Sequence, residues 1–318
     1  IGASPREIYF TSGGTESNNW AIKGTAFANG NRRKIFVSGI EHHAVLHSCK
    51  FLECLGYPVG YIPPTNDSVI TARNFKQTVS SDALLASVML VNNELGTVQP
   101  IRELAALAHA QNTLFHTDAV QAVGHMELDV RSLGVDMLSA SAHKFNGPKG
   151  IGFLYVRSGV NLLPYMNGGA QEASMRAGTE NVASIVGMAV ALKNHIVAIK
   201  ENEKRIQGLE TLFLQNLKQT GVAFVKNGGA NTLPGLISIS FPGKSGEAIM
   251  HRLDLMGISV STGSACNSRE TEISHVLRVI SLPKDLAKGT IRISLGKDNT
   301  EADIEAIVTA LAKIFCLH

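Results

Sequence analysis

Between residues 8 and 141 the sequence alternates in a way that few architectures satisfy. Short apolar runs at 8–10, 34–38, 59–62, 86–91, 114–117 and 137–141 are separated by helical patterns at 16–28, 44–55 and 101–111. Runs this short, interleaved with helix-length segments and bounded by polar turns, read as buried strands of a mostly parallel sheet with helices on both faces. The fold class is therefore α/β. A long helical stretch over 182–218 follows, and then the pattern changes: strand at 236–241, helix at 246–256, strand at 290–294, helix at 300–315. That second pattern reads as a smaller α+β domain. A large domain is placed at 1–203 and a small C-terminal one at 204–318, which a chain of 318 residues accommodates.

Composition narrows the function classes. At 44% hydrophobic and 17% charged, the chain has ample core for a globular protein. Its net charge of +3, with no long basic run, argues against nucleic acid as a direct partner. The longest uncharged apolar stretch, 182–192, is too short to span a bilayer, so no membrane role is expected. No signal-peptide pattern opens the sequence, and it begins at Ile1, not at Met, so an upstream segment is expected. Cys49, Cys54, Cys266 and Cys316 form no CxxC pair, which points to free thiols in a reducing cytoplasm.

Chemistry concentrates in a few motifs. In SASAHKFNGPKG, 139–150, Lys144 follows His143 at the end of an apolar run, with Ser141 close by. Desolvation at a sheet edge lowers an amine pKa and makes it a nucleophile toward aldehydes, although a solvated lysine in a turn is the plainer reading of this residue alone. TSGGTES, 11–17, lies between a strand and a helix. Gly13 and Gly14 let the backbone approach an anion, and Thr15 adds a hydroxyl at a helix N-terminus, so the segment is a phosphate cradle or a simple capped turn. HTDAVQ, 116–121, places Asp118 where a strand ends. There it could hold a pyridine nitrogen protonated, with Gln121 on the ring hydroxyl, or merely cap a helix. EHHAVLHSC, 41–49, carries His43 and His47 at i, i+4, but no completing ligand motif, so metal is not expected and a histidine stacked on a cofactor ring is preferred. STGSACNS, 261–268, holds Cys266 in a run of small residues. Such a run suits an exposed thiol on a poorly ordered loop.

Taken in order, SGGTES, EHHAVL, VNNELGTVQPI, HTDAVQ, SASAHKFNGPKGIG, RAGTEN, STGSACNS and TIRISLG resemble the cysteine desulfurases, NifS-like members of the class V aminotransferases. The resemblance runs from about residue 5 to 315. It implies the fold type I architecture of pyridoxal 5'-phosphate enzymes, a homodimer, and conversion of L-cysteine to L-alanine with sulfur passed on as a Cys266 persulfide. It implies Lys144 as the Schiff-base lysine and His42 as the ring-stacking acid/base. Asp118 would face the pyridinium, Gln121 the ring hydroxyl, and Asn93 both cofactor and substrate. Gly14, Thr15, Ser141 and His143 would hold the phosphate, with Thr179 reaching it from the partner subunit. Arg292 would bind the substrate carboxylate.

Two departures accompany the resemblance. Family members begin with a segment bearing an Asn-Ala-Ala-like motif. This sequence starts directly before the phosphate motif, so part of the small domain and one pocket wall are expected outside it. Gly14 stands where many relatives carry alanine, which reads as a mild change. The stretch from Asn267 to Ile273 marks the longer-loop subgroup, whose cysteine carries sulfur outward to an acceptor protein, such as an iron–sulfur cluster scaffold or a thiolation relay. A selenocysteine lyase or a related transaminase is the alternative activity.

Overall fold

The computed structural model describes residues 1–262 and 273–316. The chain separates into two compact units. The first comprises 1–64, 70–92 and 99–199; the second comprises 65–69, 93–98 and 200–318. Asn93 and its neighbours, early in the sequence, thus belong to the second unit.

In the first unit the elements follow as β1 (Ile8–Thr11), α1 (Gly14–Ala28), β2 (Lys34–Ser38), α2 (His43–Cys54), β3 (Val59–Ile62), α3 (Ala72–Thr78), β4 (Ala83–Ser87), α4 (Ile101–His109), β5 (Leu114–Asp118), α5 (Val130–Leu133), β6 (Met137–Ser141), β7 (Gly152–Val156) and α6 (Val182–Val197). The seven strands form one sheet in the order β1-β7-β6-β5-β4-β2-β3. Strands β3, β2, β4, β5 and β6 pair in parallel, whereas β7 runs antiparallel to both β6 and β1. The sheet is therefore mostly parallel, as its near-continuous apolar strands require. Helices cover it: Trp20 and Ile22 of α1 and Val45 and Leu52 of α2 pack with Ile35, Val37, Leu85 and Met137 from the strands. Trp20 satisfies its indole by donating from Nε1 to the Leu163 carbonyl at 2.8 Å.

Two elements differ from the sequence reading by more than a residue or two at an end. The strand expected over 86–91 is assigned as Ala83–Ser87. Beyond it, Val88 and Leu90 still donate to the carbonyls of His116 and Asp118, so the apolar run continues as extended chain with irregular pairing. The helical stretch over 182–218 is two helices, α6 and α7 (Ile199–Gln219). Ala198 leaves helical geometry at φ −100°, ψ 8°, just where the sequence turns from apolar to the charged run 200–205.

The second unit contains α7, β8 (Val225–Lys226), β9 (Leu236–Ser240), α8 (Gly246–Asp254), β10 (Ser261–Thr262), α9 (His275–Val279), α10 (Lys284–Lys288), β11 (Thr290–Ser294) and α11 (Glu301–Cys316). Its antiparallel sheet has the order β10-β11-β9-β8. Phe213 and Leu217 of α7, Ile237 and Ile239 of β9, Ile291 and Ile293 of β11, and Ile304 and Leu311 of α11 form its core. Among the described residues no single helix is long and apolar enough to cross a membrane.

Candidate active site

The first unit gathers its polar groups at one edge of the sheet. Thr11 and Ser141, the last residues of β1 and β6, are both in register with Gly152 at the start of β7. A side chain at position 152 would put its Cβ 2.7 Å from the Gly13 Cα, so the absence of one lets the Gly13 backbone lie against the strand. Gly13 itself has φ 146°, a conformation L side chains rarely adopt, and it precedes the first turn of α1. The first-turn N–H groups at Gly14, Thr15 and Glu16 have no acceptor within the helix and carry the positive end of its dipole. Ser141 lies alongside: its Oγ is 2.9 Å from His143 Nδ1 and would be 3.3 Å from a Cβ on Gly13. This convergence could seat an anion. Partial desolvation, with Lys144 and Lys149 nearby, holds the His143 pKa below the ordinary imidazole value. The Gly14 departure has a structural partner, because a Cβ there would lie 2.5 Å from Val120 Cγ2. In this chain an alanine at 14 would require Val120 to move.

Asp118 ends β5 and is 4% exposed. Its Oδ1 accepts from the Val120 N–H at 2.9 Å, and its Oδ2 accepts from Asn18 Nδ2 at 2.6 Å. Burial raises its pKa, while Val120, Asn18 and the positive charge available at His42 and Lys144 favour the ionised form. Asn18 Oδ1 is buried with no hydrogen-bond partner among the described residues. Gln121 stands half-buried in the turn that follows.

His42 caps α2: its Nδ1 accepts from the Ala44 N–H at 3.0 Å, which leaves Nε2 as the protonated nitrogen of the neutral ring. Glu41 beside it is fully buried, and its Oε1 accepts from Ser38 Oγ at 2.5 Å and from the Met89 N–H at 2.6 Å. Burial, reinforced by the Asp118 charge, pushes the Glu41 carboxyl up to about 8, so it is protonated at neutral pH. His116 bridges Ser87 Oγ and Ser139 Oγ at 2.8 and 3.0 Å, and burial pushes it down to about 3, which keeps it neutral. The rings of His43 and His47 stack at 5.1 Å. Cys49 is buried, with its thiol pushed up to about 12 by desolvation, so it is inert as a nucleophile, whereas Cys54 is exposed.

Lys144 is half-buried in a single 3-10 turn, Ala142–Phe145, directly after β6. Thr179 is exposed in the loop before α6. That loop is anchored by Arg176, whose Nε and Nη2 donate to Glu16 Oε1 and Oε2 at 3.0 and 3.3 Å.

In the second unit Arg292, on β11, donates from Nη1 to the Asn93 carbonyl at 2.9 Å. Its buried Nε has no hydrogen-bond partner among the described residues. Glu94 accepts from Ser274 Oγ at 2.5 Å, and burial pushes its carboxyl up to about 7 against the pull of Ser274 and Arg292. Cys266 lies outside the described residues.

Asn18, Glu41, His116 and the Arg176–Glu16 pair escaped the sequence reading. Asn18 had a signal, one helical turn past Gly14 on the helix that starts at the cradle.

A family model described as aminotransferase class-V matches residues 1–307. The chain belongs to that family. This class-V protein is 46% identical over 316 residues to "Cysteine desulfurase IscS" of Dictyoglomus turgidum, covering 99% of this chain and 80% of the relative. A solved structure described as a NifS-like protein superposes with a TM-score of 0.92 at 36% identity, covering 99% of this chain and 84% of the other. Another, "SspA in complex with cysteine", superposes with a TM-score of 0.81 at 37% identity, covering 94% and 84%. The architecture is that of fold type I pyridoxal phosphate enzymes. Pyridoxal 5'-phosphate is the family's cofactor, and the first unit fits it. A helix N-terminus beside Ser141 suits the phosphate, a buried carboxylate suits a protonated ring nitrogen, and Lys144 supplies an amine.

Proposed function

We propose that this class-V protein is a cysteine desulfurase: it converts L-cysteine to L-alanine and passes the sulfur through Cys266 to an acceptor protein. The observation that carries the reading is Asp118, a buried carboxylate held at the end of β5 by Asn18 and the Val120 N–H. Burial favours a protonated carboxyl unless a positive group lies alongside, and a protonated pyridine nitrogen is such a group. The 46% identity to an enzyme named cysteine desulfurase supplies the substrate.

When bound, the cofactor supplies an electron sink for charge developing at the substrate Cα. The chain's own residues do the rest. Lys144 provides the amine that holds the cofactor and, once released, takes the Cα proton. Asp118 keeps the ring-nitrogen proton in place, and Gln121 takes the ring hydroxyl. Gly14, Thr15, Ser141 and His143 bind the phosphate. His42, whose Nδ1 accepts from the Ala44 N–H, presents its Nε2–H as the hydrogen-bond donor to the substrate sulfur. Arg292 binds the substrate carboxylate, and Asn93 lines the substrate. The Cys266 thiolate attacks the substrate sulfur: an S–S bond forms, the substrate C–S bond breaks, and the carbon receives the electron pair and a proton. One L-cysteine and one thiol thus give one L-alanine and one persulfide, which reaches an iron–sulfur scaffold or a thiolation relay.

Incubation with L-cysteine and a thiol reductant should yield alanine and sulfide in equal amounts. Pyruvate in place of alanine, or turnover confined to selenocysteine, contradicts the reading.

We also infer a two-fold dimer in which Thr179 reaches the partner's phosphate. Val182, Val186 and Val190 lie one turn apart on α6, 64%, 56% and 54% exposed, an apolar stripe that a second copy would cover. Sedimentation should give twice the chain mass, and an active monomer would contradict the dimer.

A further inference from the structure

Two histidines to which the sequence assigns no role stand behind the turn that carries Lys144. His125 follows β5, and its Nε2 is 2.7 Å from the Lys144 carbonyl oxygen. A carbonyl only accepts, so His125 Nε2 is the donor. His195, in the last turn of α6, is buried at 9% exposure. Its Nδ1 is 3.1 Å from the Gly124 carbonyl oxygen, and its Nε2 is 2.9 Å from the Asn146 side-chain amide. Gly124 adjoins His125, and Asn146 closes the Lys144 turn in left-handed geometry at φ 60°. The two rings meet edge-on at 5.6 Å, and Phe145 packs against His195 at 6.5 Å. A Cβ on Gly124 would lie 2.7 Å from the Phe145 Cβ, which shows how closely the two backbones approach.

The pair thus joins the turn after β5, the lysine turn and the end of α6. The His195 bonds survive a change of protonation: a neutral ring donating to Gly124 can accept an N–H from the Asn146 amide, whose two ends are isosteric, and a charged ring donates to both. Burial, together with the charges at His195 and Lys144, holds the His125 pKa low against its bond to the Lys144 carbonyl.

A single 3-10 turn is a weak element by itself. The lysine on it has a long, flexible stem, so where its amine can reach depends on where the backbone is held. We propose that His125 and His195 are positioning residues for Lys144, fixing the turn from which its amine reaches the cofactor. They act through the Lys144 carbonyl and the Asn146 amide and touch neither substrate nor cofactor. The proposal rests on the role given to Lys144 above.

The test uses apo-protein to which pyridoxal 5'-phosphate is added, with borohydride quenching and peptide mass spectrometry to follow label on Lys144 over time. His125→Phe and His195→Phe should each slow labelling about ten-fold, with kcat falling in parallel and KM for L-cysteine within about two-fold, as expected for a misplaced group. His125→Gln, which returns a donor N–H, should recover most of the rate. The double Phe variant should be little worse than the poorer single one, because both act on one turn. Wild-type labelling rates in both Phe variants overturn the proposal. So does an equal loss in His125→Phe and His125→Gln together with a lower melting temperature, which marks general packing. If wild-type protein takes no label on Lys144, the reading of Lys144 falls and this proposal with it; label on wild-type Lys144 with unchanged variants overturns the positioning role alone.

Discussion

Lys144→Ala should leave a folded protein that neither turns over L-cysteine nor retains pyridoxal 5'-phosphate through desalting. The residue is half-buried on its turn, and the contact that fixes the turn is made by its backbone carbonyl to His125, which alanine keeps. Stability should therefore change by no more than about 0.5 kcal/mol. The rate should fall by on the order of 10⁴-fold, since one amine serves as both attachment point and proton carrier. Coupled alanine detection and the absorbance of the desalted protein measure both effects. Turnover within about ten-fold of wild type would mean that another group does this work.

Asp118→Asn separates charge from shape. The new amide keeps an oxygen for the Val120 N–H, and its NH₂ then faces Asn18. Asn18 can rotate its amide to present Oδ1, the atom that has no hydrogen-bond partner among the described residues. The fold should therefore survive, and the cofactor-free protein should melt no lower, because a charge is no longer held away from water. Activity should fall about 10²–10³-fold, the range for removing one preorganised electrostatic group. Steady-state kcat and thermal melting of the apo-protein decide it. Near-normal kcat would reduce Asp118 to the cap of the turn that follows β5.

The α/β pattern was legible because a parallel sheet buried on both faces demands apolar runs, and those at 34–38, 59–62 and 137–141 coincide with β2, β3 and β6. The end of β4 was not, because apolar character outlasts regular pairing at Val88 and Leu90. The break at Ala198 carries no glycine or proline, and only the change to a charged run hints at it. Within the first unit, the 11–17 and 139–150 motifs come together: Gly13, Gly14 and Ser141 lie close to one another through the Thr11 and Ser141 registers with Gly152. Local motifs could place those groups because each sits at a strand end or helix start. What they could not supply were the residues that hold the motifs from elsewhere in the chain. Arg176 grips Glu16 across 160 positions, His195 reaches Gly124 across 71, and Val120 fills the space that Gly14 leaves. A histidine in the last turn of an apolar helix reads as packing until the turn it grips is seen.

Sulfur transfer is the centre of this account, and one measurement addresses it directly. The holoenzyme is treated with L-cysteine, excess substrate is removed, and the digested protein is examined by mass spectrometry without reduction. One additional sulfur atom should appear on the peptide containing Cys266, in step with alanine released, and it should be absent from Cys266→Ser protein that still binds L-cysteine. The additional sulfur on the peptide of Cys49, Cys54 or Cys316, or alanine released with Cys266 unmodified, would contradict the account.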